Sequence, residues 1–375
     1  MNRKPIRVLQ VIGGMHRGGA ETMIMNLYRQ IDRTKVQFDF AVHTNKKMDY
    51  DDEIIRLGGK IYSFPSFSGT NIIEYRRAWK SFFDEHNEYN VVHGHIGSSA
   101  SIYLKIANNR GCYTIAHSHN TNSISKNLKN IIYPYFAYPT RFIADFFIGC
   151  SRMAGVDRFG EKVVSSKDKF AVLNNAIKTE HFVFSKEKRN LMRKELGIDN
   201  QLTIGHIGRF NKQKNHMFLL NIFKYISIEN PNSVLLLVGD GELRSEIEDK
   251  IEQLGLSNNV VLTGVRSDIH DLLQAMDIFL FPSLYEGLPV TLIEAQASGL
   301  RCFISDSITN EVQITDLIKS ISIDKSPMEW ATEVLNNKSY VRYDTSKSIK
   351  SSGFDIKETA IWLEKFYLEK SLIKN

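Results

Sequence analysis

Short apolar runs alternate along the chain with longer segments in which apolar residues recur every three or four positions. The runs at 6–13 (IRVLQVIG), 38–44 (FDFAVHT), 60–65 (KIYSFP), 91–96 (VVHGHI), 113–119 (YTIAHSH), 146–151 (FFIGCS) and 170–176 (FAVLNNA) have strand length and strand composition. Between the first two, Ala20, Met23, Ile24, Leu27 and Ile31 fall on one face of a helix. Residues 71–85 have the length of another. A charged run, KEKRN, follows at 186–190, and then the pattern restarts. Residues 202–209, 233–240, 259–264, 277–283 and 301–306 read as strands, and Leu243, Ile247, Ile251 and Leu254 line one helical face between the second and third. Strand–helix alternation of this kind predicts parallel sheets covered on both faces, an α/β chain.

The restart predicts two doubly wound, Rossmann-like halves, with expected bounds 1–178 and 179–354. The last segment, with Ala360, Leu363, Phe366 and Tyr367 on one side, predicts a helix within 355–375 that either completes the second half or packs back on the first. A length of 375 residues accommodates two domains. At 42% hydrophobic and 24% charged residues the chain reads as globular and soluble. Three widely spaced cysteines form neither a disulfide framework nor a metal motif, which suits a reducing cytosol. The apolar run at the N-terminus is too short for a signal peptide and no stretch is long enough to cross a bilayer, so a cytoplasmic location is expected. Residues 1–185 hold 25 Lys+Arg against 16 Asp+Glu. That excess suits an acidic partner, whether nucleic acid, anionic lipid or substrate, and equally a solvated basic surface, which is the preferred reading for any single residue of it.

Candidate chemistry gathers where strands end. In FPSLYEGLPVTLIEAQASG (281–299), a strand, a tight loop and a helix are predicted, with Pro289 suited to a helix's first turn. Glu294 then lies among Leu292, Ile293 and Ala295, where a carboxylate is costly unless donors reach it; a ribose diol offers two. Glu286 sits in the loop at the helix mouth, where Gly287 and Leu288 offer amides to a phosphate. Arg209 and Lys214 share the loop after the first strand of this half, a placing that suits a diphosphate. In the first half, Gly18 and Gly19 open a helix, so that backbone amides approach an anion unhindered. His93 with His95, and His117 with His119, end two strands. With no carboxylate or cysteine at suitable spacing, hydrogen bonding to a sugar or phosphate is expected there and metal binding is not. Asp49-Tyr50-Asp51 matches an Asp-x-Asp metal pattern but reads as solvated surface. The basic-aromatic run at 126–142 is open between a lipid contact and plain packing.

Taken together, GGAE (18–21), IAH (115–117), the Asn175 turn, GRF-x2-QKNH (208–216), VGDGE (238–242), LTG (262–264) and LYEGLPVTLIEA (284–295) resemble the retaining family-4 glycosyltransferases of GT-B fold, in the family's order across both halves. The branch they are most similar to makes bacterial exopolysaccharide and capsule. The resemblance implies two Rossmann-like domains facing a central cleft, an acceptor-binding first domain and a nucleotide-sugar-binding second. It implies hexosyl transfer with retention from a nucleotide-sugar, expected to be UDP-linked, to a hydroxyl of a lipid-linked glycan, with no metal or other cofactor. Arg209 and Lys214 would hold the diphosphate, Glu294 the ribose and Glu286 the sugar hydroxyls. Gly19 would meet the phosphate or sugar, and His117 would lie at the transferred sugar. No nucleic-acid partner is expected, and peripheral contact with the inner face of the cell membrane through the basic first half is. The chain departs from the family's pattern at Ala176, Lys178, Ser298-Gly299-Leu300-Arg301 and Thr309-Asn310, and the last two of these stretches bear on donor-sugar identity. A GT-B sugar-nucleotide epimerase and a non-catalytic nucleotide-sugar-binding partner of a transferase remain as alternatives.

Overall fold

The computed structural model describes residues 4–119 and 136–373. The chain divides into two compact units, Met1–Ala176 with Ile356–Asn375, and Ile177–Asp355. Each is built on one parallel sheet.

In the first unit the strands β1 (Ile6–Ile12), β2 (Val36–Val42), β3 (Ile61–Ser63), β4 (Tyr89–Gly94), β5 (Tyr113–Ser118), β6 (Phe146–Gly149) and β7 (Phe170–Val172) lie in the order β3-β2-β1-β4-β5-β6-β7. In the second, β8 (Leu202–Ile207), β9 (Ser233–Val238), β10 (Val260–Leu262), β11 (Ile278–Phe281), β12 (Arg301–Ser305) and β13 (Ile318–Ile321) lie in the order β10-β9-β8-β11-β12-β13. Both orders reverse at the unit's first strand, so β1 pairs with β2 and β4, and β8 with β9 and β11. Beyond the carboxyl ends of strands flanking such a reversal, an open parallel sheet leaves a crevice for a ligand.

The strands are apolar on both faces because helices cover both. Val8 and Ile12 pack into one core and Leu9 and Val11 into the other. In the second unit Val234 and Leu236 face one way, Leu235 and Leu237 the opposite. This alternation of two apolar faces produces the unbroken runs visible in the sequence.

The last helix, Ile356–Lys370, belongs to the first unit: Ile356, Ala360, Leu363, Phe366 and Tyr367 join the core formed by Ile24, Tyr28 and Phe38. Glu364 tethers it by accepting from the backbone N–H of Asp32 and from Lys35 Nζ. The charged run at 186 is the first turn of a helix, Lys186–Leu196, capped by the Ser185 hydroxyl. It ends at Gly197 in a left-handed conformation. The edge strand β13 had no counterpart in the sequence pattern. Its four residues, IKSI, alternate too briefly to stand out, and pairing to β12 makes them a strand.

Candidate functional site

The second unit assembles its site from the loops after β8 and β11, neighbours at the reversal. The β8 loop is held close to β9 by glycines. A Cβ at Gly239 would stand 2.0 Å from the carbonyl oxygen of Gly208, and one at Gly241 would stand 2.4 Å from that of Phe210. The VGDG turn can therefore lie against GRF only with glycine at 239 and 241. Asn215, the one non-glycine residue with positive φ among those described (57°), turns the chain into the helix His216–Glu229. Its side-chain amide donates to the Pro282 carbonyl at 3.2 Å. Gln213 adds two bonds, its carbonyl accepting from Leu284 N–H and its amide donating to the Tyr285 carbonyl. The two loops are thus sewn together before any charge is counted. The sequence shows Gln213 and Asn215 as part of GRF-x2-QKNH but gives them no role, because an amide in a polar loop does not reveal its partner.

Across this seam Lys214 Nζ donates to Glu286 Oε1 at 2.7 Å, with the side chains only 14% and 8% exposed. The ammonium also stands 4.5 Å from the centre of the Phe281 ring. Arg209 lies in the same loop, but its guanidinium is 71% exposed and, among the described residues, pairs only with Glu242, at 3.6 Å. It is a cation available to a ligand. Gly287 is exposed and a Cβ there would meet nothing, so the loop can be approached closely; Leu288 is half-buried.

Glu294 is carried by the helix Val290–Ala297, which begins after Pro289 and ends at Gly299 with φ +68°. Leu292, Ile293 and Ala295 around it are buried. Burial pushes its carboxyl up to about 7. Among the described residues no hydrogen-bond donor or cation reaches it. The carboxyl lacks what a diol supplies.

In the first unit Gly18 caps the helix Gly19–Gln30 from an extended conformation, without a side-chain cap hydrogen bond, and the paired side chains of His16 and Glu21 stand beside it. A Cβ on Gly18 would collide with Glu21 Oε2 at 2.3 Å, whereas one on Gly19 would meet nothing. Asp49 accepts from the backbone N–H of Arg17 at 3.0 Å, and Asp51 from that of Met48 at 2.8 Å. Their carboxylates are engaged in holding loops. Of the run at 126–142, residues 126–135 lie outside the described residues. At its described end Arg141 stacks over Tyr138, and Phe142 is exposed.

The four histidines at the ends of β4 and β5 form one array. His93 Nε2 pairs with His117 Nδ1 at 3.1 Å, and His95 Nδ1 with His119 Nε2 at 2.7 Å. One pair stacks on the other, His93 on His95 at 4.3 Å and His117 on His119 at 4.1 Å. Behind them, His93 Nδ1 meets Tyr367 OH at 2.6 Å and His95 Nε2 meets Gln10 Oε1 at 2.8 Å. Ring nitrogens of His93, His95 and His117 come within 4.8 Å of one another, close enough for a metal. Most are already engaged by hydrogen bonds within the array. Burial lowers all four pKa values, His119 to about 4 by burial alone, and the neighbouring rings add to it for His93, lowered to about 3, and for His95 and His117, lowered well below the usual value. All four rings are neutral at pH 7. The sequence showed the two pairs but not Gln10 or Tyr367, which lie on β1 and the last helix.

Two family models match, one in each half: Glycosyltransferase Family 4 over residues 17–181 and Glycosyl transferases group 1 over residues 188–336. The chain is 36% identical to the putative glycosyltransferase EpsF of Bacillus subtilis over 342 residues, covering 89% of this chain and 88% of the relative. It is 24% identical, over 98% of its length and all of the relative, to the capsular polysaccharide biosynthesis glycosyltransferase CapH of Staphylococcus aureus. Over 143 residues, 37% of each chain, it is 38% identical to the Escherichia coli UDP-Gal:alpha-D-GlcNAc-diphosphoundecaprenol alpha-1,3-galactosyltransferase. A crystal structure of Anabaena Alr3699/HepE in complex with UDP superposes with a TM-score of 0.78 at 16% identity, over 97% of this chain and all of that one.

Proposed function

The chain belongs to the family-4 glycosyltransferases of GT-B fold, and from that premise we propose that it moves a sugar from a UDP-sugar to a hydroxyl of a lipid-linked glycan, with retention, in the building of an exopolysaccharide or capsule. The observation that carries the donor assignment is the sequence of groups in the second unit. An exposed Arg209 and a paired Lys214 lie in one loop, with Glu286 across the seam and an unpartnered Glu294 on the following helix. A diphosphate needs cations, a ribose diol needs an acceptor for its hydroxyls, and a sugar needs a polar partner beyond them. The galactosyltransferase and CapH relatives support the acceptor and the pathway, and the UDP complex of HepE supports the nucleotide.

On this reading Arg209 and Lys214 bind the diphosphate and stabilise the charge that grows on the leaving oxygen, helped by the amides of Gly287 and Leu288. Glu294 accepts from the ribose hydroxyls and Glu286 from the sugar. Gly18 and Gly19 leave helix amides open to the phosphate or sugar, and His117 contacts the transferred sugar. No carboxylate among these is placed as a covalent nucleophile. The acceptor oxygen therefore attacks from the face the diphosphate leaves, and the departing phosphate oxygen takes the acceptor's proton. The C1–diphosphate bond breaks as the new glycosidic bond forms, and the nucleoside diphosphate carries the proton away. The basic first unit acts as the acceptor domain and meets the inner membrane face peripherally; among the described residues no helix is long and apolar enough to cross a membrane.

The test is a mass-spectrometric panel of UDP-, GDP- and ADP-sugars, scored for binding and slow hydrolysis. A UDP-sugar should be consumed first. Consumption of a GDP- or ADP-sugar alone would overturn the nucleotide assignment, and 2-epimerisation without transfer would favour the epimerase.

A further inference from the structure

A second cluster of cations lies at the opposite edge of the second unit's sheet. A cavity of about 640 Å³ opens beside the amino ends of β8 and β11, where Leu202 begins one strand and Asp277 precedes the other. The loops bearing Arg209, Lys214 and Glu286 leave the carboxyl ends of the same two strands. The six residues of β8, at about 3.3 Å each, set the two places roughly 20 Å apart.

Three guanidiniums crowd the cavity wall. Arg189 and Arg193 come from the helix Lys186–Leu196, and Arg342 from the segment after the helix Pro327–Asn336. All three reach the carboxyl end of the helix Ile269–Ala275. Arg189 Nη1 donates to the carbonyls of Gln274, Ala275 and Met276, Arg193 Nη1 to that of Ala275, and Arg342 to those of Leu273 and Met276. These bonds satisfy donors but leave charge, because a helix end brings only about half a negative charge. Among the described residues Asp277 is the one carboxylate paired with them. Its oxygens are already taken by Arg189 at 2.6 Å, Arg193 at 3.3 Å and the Thr203 N–H at 2.9 Å. Asp199 lines the cavity without forming an ion pair among the described residues, and Lys338 adds a fourth cation. Four cations against two carboxylates and a helix end leave more than one positive charge uncompensated. Arg193 is only 5% exposed, so water screens it little. Burial, and after it the Arg189 guanidinium, lower the pKa of both Arg193 and Arg342.

The cavity also holds unused donors. Among the described residues no hydrogen bond engages the Lys338 ammonium or the side-chain amides of Asn200 and Gln201. Phe184, with the Arg342 guanidinium 4.6 Å from its ring centre, adds an apolar wall.

We propose that this cavity binds the phosphate group of a small metabolite, at a site separate from the one that receives the donor. A phosphate monoester carries close to two negative charges at neutral pH, which matches the surplus, whereas a single carboxylate leaves part of it uncompensated. Guanidinium forks suit its oxygens. The volume exceeds what a bare phosphate fills and admits a sugar-sized body, to which the amides of Asn200 and Gln201 can donate. None of the residues assigned to the donor takes part, so the proposal stands apart from that assignment.

Calorimetric titration of the full chain with glucose 1-phosphate and with inorganic phosphate, at fixed ionic strength and with UDP saturating, tests it. The expected result is one saturable event with a Kd on the order of 0.1–1 mM. Lys338→Glu and Asn200→Asp, both at exposed positions, each add a carboxylate to the wall. Each should weaken that binding by about tenfold or more and leave UDP affinity unchanged. Arg209→Ala should leave the phosphate affinity as it is. Tighter binding of the ester than of the free ion makes the ligand an ester held also by the amides. Equal affinity makes it inorganic phosphate at the same site. No saturable binding of either up to about 10 mM overturns the proposal. So does binding that survives both added carboxylates, or binding that Arg209→Ala abolishes, which would move the anion to the donor loops.

Discussion

Glu294 holds a proton in the folded chain up to about pH 7, where an unfolded glutamate has lost it above about 4.5. Between those values the folded state binds more protons than the unfolded, so stability falls as pH rises through that window and stays reduced above it. Glu294→Gln removes the penalty. It should stabilise the protein at pH 8 by on the order of 2 kcal/mol and change little at pH 4, as read by urea denaturation at each pH. The same substitution should weaken UDP and UDP-sugar alike, since both carry the ribose. Wild-type affinity for UDP should also fall as pH drops through 7, because a protonated carboxyl accepts the diol poorly, and the variant should lack this part of the pH dependence. Calorimetric titration of both proteins across that range checks the pair of statements. A variant no more stable at pH 8, and binding UDP like wild type, would make Glu294 an ordinary helix residue. Its apolar neighbours exposed it in the sequence, because Leu-Ile-Glu-Ala leaves a carboxylate no obvious route to water. The extent of its isolation depended on which donors the surrounding elements withheld.

At the scale of elements, the loops after β8 and β11 act as one unit because Lys214 and Glu286 pair across them. Removing one partner of a buried pair leaves the other uncompensated, at a cost of roughly 3–5 kcal/mol in dry sites and less where water reaches. Lys214→Ala should therefore destabilise the protein more than Lys214→Ala combined with Glu286→Gln, although both lose donor turnover; chemical denaturation of the two variants decides it. Arg209→Ala should fold like wild type, its guanidinium being exposed, and lose roughly ten- to a hundredfold in donor affinity. Glu286→Gln should keep UDP affinity and lower turnover or sugar discrimination, because a contact made mainly in the transition state acts on kcat. Equal loss of UDP affinity in Glu286→Gln and Glu294→Gln would mean that the two roles are wrongly divided.

At the scale of the molecule, the last helix returns to a unit whose other residues end at Ala176. Phe366→Ala should cost about 3 kcal/mol by emptying a core position shared with Tyr113 and Phe146, despite its distance in sequence. Denaturant unfolding of the variant measures this; a loss under about 1 kcal/mol would mean the helix is not integral to that core. Activity should survive EDTA, since Asp49 and Asp51 are engaged by backbone amides and the cations of the second unit serve the diphosphate. Restoration of a chelated, inactive enzyme by Mn²⁺ or Mg²⁺ would contradict that.

Local patterning in the sequence determined the class of fold and every strand except β13. Two-faced apolar strands alternating with one-faced helices have few ways to bury themselves other than a covered parallel sheet. It also marked the residues at strand ends, because loops that follow strands are short and carry conspicuous glycines, cations and carboxylates. Tertiary structure alone decided what those residues do to one another. Lys214 and Glu286 are 72 positions apart and became partners because β8 and β11 are neighbours at the reversal of strand order. Gln10 and Tyr367, 357 positions apart, came to bond each other and the His95 and His93 rings because the last helix packs into the first unit's core beside β1. Hydrophobic periodicity records which face of an element is buried, but not the partner it is buried against, and the hydrogen bonds a buried side chain makes are set by that partner.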